Sequence, residues 1–123
     1  MVSVRKDILA NGCVYHIFNK SISGYEIFNN PGEYGRFLST FLYSNVVNTK
    51  FSFSKFFRSK SNDLNLKKDE EHFVKIIAYC IMPTHFHFVV KQNRETGIEK
   101  FISKMSNSYA KYFNLKHNRS GPL

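Results

Sequence analysis

The 123-residue sequence predicts one domain of the α+β class, a ferredoxin-like split βαβ sandwich with an antiparallel sheet. Two stretches repeat apolar residues every three to four positions, which is typical of amphipathic helices. Three other stretches are rich in β-branched and aromatic residues, which is typical of strands. Their order is strand, helix, insertion, strand, strand, helix. The split βαβ pattern needs one more strand after the second helix, and we expect that strand to be missing from these residues.

The first strand is predicted at residues 13–19, where β-branched and aromatic side chains are concentrated. A polar loop follows, in which Ile27 and Phe28 are candidate apolar anchors. His16 lies on this first strand and is expected beside the later histidine hairpin as a hydrogen-bonded packing residue. Tyr15 is expected to pack in the core.

The first helix is predicted from Asn30 to about Ser44. Asn30 is a suitable N-cap, Pro31 suits the first turn, and Glu33 is placed to return a hydrogen bond to the cap. The apolar stripe of this helix consists of Tyr34, Phe37, Leu38, Phe41 and Leu42.

An insertion is predicted over residues 48–71, where the periodicity is lost. We interpret it as a segment folded back onto the domain by its aromatic side chains. The alternative is that its aromatic and basic residues stack on and neutralise single-stranded nucleic acid. Those residues are Lys50, Phe51, Phe53, Lys55, Phe56, Phe57, Arg58 and Lys60.

The second and third strands are predicted as an antiparallel hairpin, residues 73–82 and 84–92, joined at Pro83-Thr84. The first of these is almost continuously apolar and is therefore expected to be a central strand, covered on both faces, with Tyr79 in the core. A capping box at Thr96 is expected to start a second helix that ends near Leu115. The apolar stripe of that helix is Ile98, Phe101, Ile102, Met105, Tyr109, Tyr112 and Phe113, and its outer face carries Lys100, Lys104 and Lys111.

Two histidines one residue apart mark the third strand. Alternate side chains of a strand share a face, so His85 and His87 should point one way, and Phe86 and Phe88 the other. Two imidazoles on one face can hold one divalent cation, while the alternative is a pair of core or surface histidines. Gln92 falls on the Phe86/Phe88 face and is discounted as a ligand. His72 and His117 lie in no sequence pattern that indicates a functional role.

The charge balance indicates a polyanionic partner. Lys and Arg number 18 against 9 Asp and Glu, a net charge of +9, and nucleic acid is the usual partner of so basic a domain. A membrane surface is the alternative partner, but the basic residues are not gathered on one amphipathic helix. The sequence also shows no apolar run long enough to span a membrane and no signal peptide. Cys13 and Cys80 are expected to be buried, reduced thiols of a cytoplasmic protein.

Six stretches share a pattern with one known family: residues 14–20, 26–28, 34–38, 78–87, 108–114 and 119–123. Together they resemble the single-tyrosine HUH transposases (IS200-like), specifically the branch of REP-associated tyrosine transposases. The signature before the histidines in that family usually reads Met-Pro-Asn-His-x-His, and here Thr84 replaces the Asn. The resemblance covers most of the chain except the insertion.

The resemblance implies a transposase that cleaves and rejoins single-stranded, hairpin-bearing DNA. His85 and His87 would hold Mg²⁺ or Mn²⁺, and a tyrosine would attack the DNA to give a 5′-phosphotyrosine intermediate. In the family, that tyrosine and a third metal ligand lie on a helix beyond the fourth strand, so we expect these residues alone to be incomplete for catalysis. Tyr109 is the weak alternative nucleophile, and core packing or DNA contact is the favoured role of Tyr109 and Tyr112. The basic residues expected to contact DNA are Lys20, Arg36, Lys91, Lys111 and Arg119.

Two other functions stay open. The chain could be a non-catalytic or domesticated nucleic-acid-binding module, which its charge and the missing nucleophile would both suit. A small metal-dependent phosphodiesterase is weaker, because the histidine pair has no Asp or Glu nearby in the sequence to act as general base. A homodimer is possible, since a sheet lacking a strand can be completed by a neighbouring copy.

Overall fold

The computed structural model describes residues 8–47 and 71–123. Their element order is β-α-β-β-α, so the predicted α+β class and split βαβ arrangement are confirmed. The elements are β1 (Val14–Lys20), α1 (Pro31–Ser44), β2 (Val74–Met82), β3 (His85–Gln92) and α2 (Gly97–Lys116), with a short 3₁₀ helix at Ile22–Gly24. All of the predicted insertion except Glu71 lies outside the described residues.

The three strands form an antiparallel sheet in the order β1-β3-β2. Phe86 and Phe88 of β3 are 1% and 0% exposed, and both helices cover their face of the sheet. The ring of Phe37 on α1 lies 5.4 Å from that of Phe86, and the ring of Phe101 on α2 lies 5.8 Å from that of Phe88. The predicted division of β3 into a phenylalanine face and a histidine face is therefore confirmed.

The loop after β1 is anchored in the core as its sequence predicts. Ile27 and Phe28 are each 1% exposed. The ring of Phe28 lies 4.7 Å from that of Phe37 and 5.2 Å from that of Tyr109, so the loop is inserted between the two helices. The core is thus largely aromatic where α1 meets α2.

Asn30 caps α1 as predicted, and its side-chain oxygen accepts a hydrogen bond from the backbone N–H of Glu33 at 3.0 Å. The return bond differs from the prediction. Glu33 accepts from the backbone N–H of Asn29, one residue before the cap, at 2.8 Å. The carboxylate also accepts from the side-chain amide of Asn29 and is fully buried, a position discussed below.

The expectation that the second strand is central and covered on both faces is wrong. β3 occupies the centre, and β2 is an edge strand with most of its residues exposed. Ile77 and Tyr79 are each 52% exposed, although one side of the Tyr79 ring contacts Phe41 at 5.2 Å. The apolar character of β2 arises because apolar residues also occupy the face that the helices leave open, and a bulge near Ile77 interrupts the alternation.

The predicted capping box at the start of α2 is also wrong. Thr96 has a φ of 55°, in the left-handed region, and its hydroxyl donates to the carbonyl of Glu95 instead of capping the helix. The chain is turned this way because Gly97 passes close to the preceding segment. A Cβ at Gly97 would lie 2.4 Å from the carbonyl oxygen of Phe73, so only glycine fits.

Cys13 and Cys80 are free, as predicted, but both are exposed rather than buried. Cys13 lies just before β1, and Cys80 lies on the uncovered face of β2. Among the described residues, neither helix combines the length and apolar character needed to cross a membrane.

Candidate metal and nucleic-acid site

One face of the sheet is left uncovered by the described elements, and we call it the open face. The strand register places on it the side chains that alternate with the core residues. Val14 and Phe18 there are 54% and 60% exposed, and Met82 is 41% exposed. Phe18 and Met82 flank the two histidines of β3, whereas Val14 lies at the other end of the sheet beside Lys91. Exposed apolar residues that are grouped like Phe18 and Met82 mark an interaction surface more often than a surface left in water. The open face consists of Val14, His16, Phe18, Lys20, Lys75, Ala78, Cys80, Met82, His85, His87, Val89 and Lys91.

His85 and His87 both lie on the open face, and their ring centroids are 5.1 Å apart. The Nδ1 atom of His85 lies 3.1 Å from the hydroxyl oxygen of Thr84. The Nδ1 atom of His87 lies 3.0 Å from Nε2 of His16, so His16 is beside the hairpin as predicted. With both Nδ1 atoms engaged, the two Nε2 atoms have no partner among the described residues and are available as ligands.

The electrostatics around His87 favour its neutral imidazole, which is the form that binds metal. Partial desolvation lowers the pKa of His87, and the nearby His16, His85 and Lys20 lower it further. Within residues 8–47 and 71–123, no set of three or more His, Cys, Asp or Glu side chains is placed to hold one ion. The pair offers two nitrogen ligands, so a hard cation such as Mg²⁺ or Mn²⁺ held there would need oxygen ligands besides.

The hairpin turn that precedes His85 is fixed by the loop after β1. The carbonyl of Pro83 accepts hydrogen bonds from the backbone N–H groups of Ile27, at 2.9 Å, and Phe28, at 3.2 Å. The carbonyl of Thr84 accepts from the N–H of Ser21 at 2.9 Å. Because Ile27 and Phe28 are themselves buried, this loop holds the start of β3, and with it the histidine pair, against the core.

An aromatic group surrounds His87 on the open face. The ring centroids of His16, Phe18 and His87 lie 5.1 to 5.8 Å from one another. Phe18 is mostly exposed, and Lys20 follows it on the same face. An exposed aromatic ring beside a cation is the arrangement on which an unpaired base can stack while its phosphate is neutralised.

All seven tyrosines lie within the described residues, and none is on the open face. Tyr109 is fully buried, as the core interpretation predicts, and its hydroxyl donates to the carbonyl of Ile27. Burial raises the pKa of Tyr109, and the negative charge of Glu33 raises it further, so its hydroxyl is a poor nucleophile in this conformation. Tyr15 and Tyr79 pair with Val90 and Phe88, which places both on the side of the sheet that faces the helices.

The basic residues predicted to contact DNA are not brought together. Lys20 and Lys91 lie at opposite ends of the open face, opposite His85 and Val14 respectively. Arg36 and Lys111 lie on the helical side instead. Arg119 hydrogen-bonds Asn114 at 2.8 Å and braces the C-terminal segment.

Arg36 and Lys111 line a groove between α1 and α2, which we call the helical groove, with a volume of about 1130 Å³. The guanidinium of Arg36 lies 4.7 Å above the ring of Tyr112, and Nζ of Lys104 lies 5.6 Å from that of Tyr43. No acidic side chain of the described residues lines the groove. Its lining is Arg36, Tyr43, Ser44, Lys104, Asn107, Ser108, Lys111, Tyr112, Leu115 and Lys116.

Tyr43 and Lys116 line the groove although neither was predicted to lie on a binding surface. A signal was present, since Arg36 and Tyr43 are seven residues apart on α1, as Lys104 and Lys111 are on α2. Residues seven apart lie on one face of a helix. The spacing does not reveal which faces of the two helices meet, and therefore could not predict the groove.

Comparison with protein families gives one match, to the family described as transposase IS200 like, over residues 43–121. Comparison with curated proteins and with solved structures gives no match. The matched region includes the histidine hairpin and the whole of α2, and it extends over more than half of the sequence. Proteins of this family are metal-dependent transposases, and their partner is DNA. The chain belongs to the IS200-like transposase family.

Proposed function

We propose that this protein acts in the cleavage and transfer of single-stranded DNA that carries hairpins, at a metal site on the open face. The observation that carries the proposal is the placement of His85 and His87, side by side on an uncovered sheet face with both Nε2 atoms available. The family supports it, since its members are metal-dependent transposases. A divalent cation at this pair, Mg²⁺ or Mn²⁺, would stabilise the charge that develops on the scissile phosphate.

The reaction we propose conserves the energy of the phosphodiester bond. A tyrosine hydroxyl attacks the phosphorus, loses its proton, and becomes joined to the 5′ phosphate, while the 3′ oxygen leaves and takes up a proton. A 3′-hydroxyl of another strand later reverses the step, so no nucleotide cofactor is needed. We assign the tyrosine to none of the seven in this chain, because each lies away from the open face. Tyr109 could serve only after leaving the core.

We propose separate roles in DNA binding for the two basic surfaces. On the open face, Phe18 would stack an unpaired base and Lys20 would neutralise the adjacent phosphate. The helical groove, with Arg36 and Lys111, would follow the backbone of the paired stem, where contacts to phosphate carry affinity rather than sequence information. Arg119 and Lys91 would contribute less, because Arg119 is held by Asn114 and Lys91 lies at the end of β3 remote from His85.

A non-catalytic nucleic-acid-binding module is the second candidate. The observation in its favour is that none of the seven tyrosines lies on the open face. We also propose membership of the REP-associated branch, a cytoplasmic location, and pairing of two copies through a sheet edge. Among the described residues, β1 and β2 each pair on one side only, which leaves edges that a second copy could extend.

Fluorescence anisotropy with a single-stranded hairpin oligonucleotide would test the proposal. We expect Mn²⁺ to raise the affinity of the wild-type protein for the oligonucleotide about tenfold or more. The affinity of His85→Ala should be the same with and without Mn²⁺. Val14→Ala, on the same face away from the pair, is the control and should respond like the wild type. If the DNA affinity of the wild type did not depend on Mn²⁺, the result would favour the non-catalytic module.

Covalent adducts would test the assignment of the tyrosine. We expect these 123 residues to form no protein–DNA adduct with Mn²⁺ and hairpin DNA, as judged by denaturing electrophoresis. An adduct that disappears in Tyr109→Phe would show instead that Tyr109 leaves the core and attacks.

A further inference from the structure

His16 contacts one of the two proposed metal ligands directly. Its Nε2 atom lies 3.0 Å from Nδ1 of His87, across the pairing of β1 with β3. The two ring planes are within 6° of each other and their centroids are 5.1 Å apart. The centroids are farther apart than the two nitrogens by almost twice the distance from a ring centroid to its nitrogen, so both nitrogens lie near the line that joins the centroids. The bond therefore runs close to the plane of both rings, which is the direction of the nitrogen lone pairs.

An N–H···N bond between two imidazoles has a single proton, so one ring donates and the other accepts. If His16 donated, His87 would accept at Nδ1, its own proton would lie on Nε2, and Nε2 could not bind a cation. If His87 donates from Nδ1–H, its Nε2 presents a lone pair. Metal binding at Nε2 of His87 is therefore compatible with only one direction of this bond.

We propose that His16 is a positioning residue that accepts a hydrogen bond from Nδ1–H of His87 and thereby holds Nε2 of His87 ready for the cation. This inference rests on the proposed metal site. Groups that orient a ligating histidine through its second nitrogen are a general feature of metal sites. An imidazole in this position accepts the bond without adding a negative charge, so the orientation is fixed while the site remains open to an anionic phosphate.

A direct ligand role for His16 is the rival. Two nitrogens that both bind one cation at about 2.1 Å, at a right angle, would also be about 3.0 Å apart. The distance alone does not separate the two roles, but the number of nitrogens on the metal does. Thr84 offers a comparison, because its hydroxyl engages Nδ1 of His85 in the way that we propose His16 engages His87.

Mn²⁺ affinity, measured by calorimetry on the whole chain, is the first arm of the test. We expect His16→Ala to weaken Mn²⁺ binding about 10- to 100-fold, the usual effect of removing such a positioning group. His16→Gln keeps an acceptor oxygen near the position of Nε2 and should restore most of the affinity. Val14→Ala is the matched control on the same strand and face, and thermal unfolding of each variant reports whether it folds.

Pulsed EPR of the Mn²⁺-loaded protein is the second arm, because it counts the nitrogens bound to the metal. We expect two, from His85 and His87, in the wild type, and two again in His16→Gln. Three bound nitrogens in the wild type and two in His16→Gln would overturn the proposal and make His16 a ligand. Equal Mn²⁺ affinity in wild type and His16→Ala would overturn it as well, and if His85→Ala still lost the metal, the proposed function would stand. Equal Mn²⁺ affinity in wild type and His85→Ala would overturn both the role of His16 and the proposed metal site.

Discussion

Glu33 shows how single residues join the two helices. It lies four residues before Phe37, on the core-facing side of α1, and has no exposed surface. Its Oε2 atom lies 3.1 Å from Nζ of Lys116 and 2.5 Å from Nε2 of His117, and its Oε1 accepts from the backbone of Asn29. Burial raises the pKa of Glu33, but the hydrogen bonds from His117, Asn29 and Lys116 outweigh burial and lower it from 4.5 to about 2.

Stability should therefore depend on pH through Glu33. The pKa is lower in the folded chain than in the unfolded chain, so the stabilisation is present above pH 4.5 and is lost as the pH falls towards 2. The loss is at most about 3 kcal/mol, and Glu33→Gln should cost about 1–3 kcal/mol at pH 7 and flatten the pH dependence. Urea unfolding from pH 7 to pH 3 measures both, with the exposed Glu26→Gln as control. An unchanged pH dependence in Glu33→Gln would contradict this role.

The sequence predicts single-residue placements where they depend on local backbone alone. His85 and His87 share a face because strand side chains alternate, and this was predictable. His117 was assigned no role, because its partner Glu33 is 84 residues away and nothing local reveals the pairing. The one available hint of a buried partner was that Glu33 lies four residues before Phe37, and therefore on the same side of α1 as the apolar stripe.

The sheet is an element with two different faces. Phe86 and Phe88 pack under the helices, while Phe18 and Val14 are exposed on the open face. The chain thus leaves a large aromatic side chain in water next to the histidine pair. Burying an aromatic ring stabilises a fold, so the exposure of Phe18 beside the histidine pair supports the stacking role that we propose for it.

Two phenylalanine substitutions should separate folding from binding. Phe88→Ala should lower the free energy of unfolding by about 3–5 kcal/mol, because it leaves a cavity under α1 and α2. Phe18→Ala should change it by less than about 1 kcal/mol, since the ring is 60% exposed, and should weaken binding of single-stranded DNA. Urea denaturation and anisotropy measure the two effects. A Phe18→Ala protein that binds DNA as tightly as the wild type would remove the stacking role.

Element type was predictable, and element position was not. The composition of β2 correctly indicates a strand, but its place at the edge is decided by the pairing of β1 with β3, between residues far apart in the sequence. The start of α2 was predicted at the right residue for the wrong reason. The close approach of Gly97 to Phe73 sets that turn, and a local capping pattern does not contain this contact.

At the scale of the whole molecule, the net charge is +9, and the described residues present cationic side chains on two separate surfaces. The open face carries Lys20 beside the histidine pair and Lys75 and Lys91 at its other end. The helical groove carries four cationic side chains on the other side of the sheet. The charge count predicted a polyanionic partner. It could not predict two surfaces, because the groove exists only where α1 packs against α2.

Groove substitutions should change DNA affinity without changing its dependence on metal. Lys111→Ala should weaken binding of a hairpin oligonucleotide and lower the slope of log affinity against log salt by about one. The effect of Mn²⁺ should be the same as in the wild type. Lys100→Ala, an exposed lysine of α2 that does not line the groove, is the control and should have a smaller effect. Equal losses from Lys111 and Lys100 would mean that the groove has no special role.

Paramagnetic broadening by Mn²⁺ would locate the cation on one face of the sheet. In NMR spectra of the protein titrated with substoichiometric Mn²⁺, signals of His85, His87, Phe18 and Lys20 should broaden first. Signals of Lys111 and Tyr112 in the helical groove should persist, because the sheet and the core separate them from the histidine pair. Broadening that begins in the helical groove, or that is unchanged in His85→Ala, would contradict a metal site on the open face.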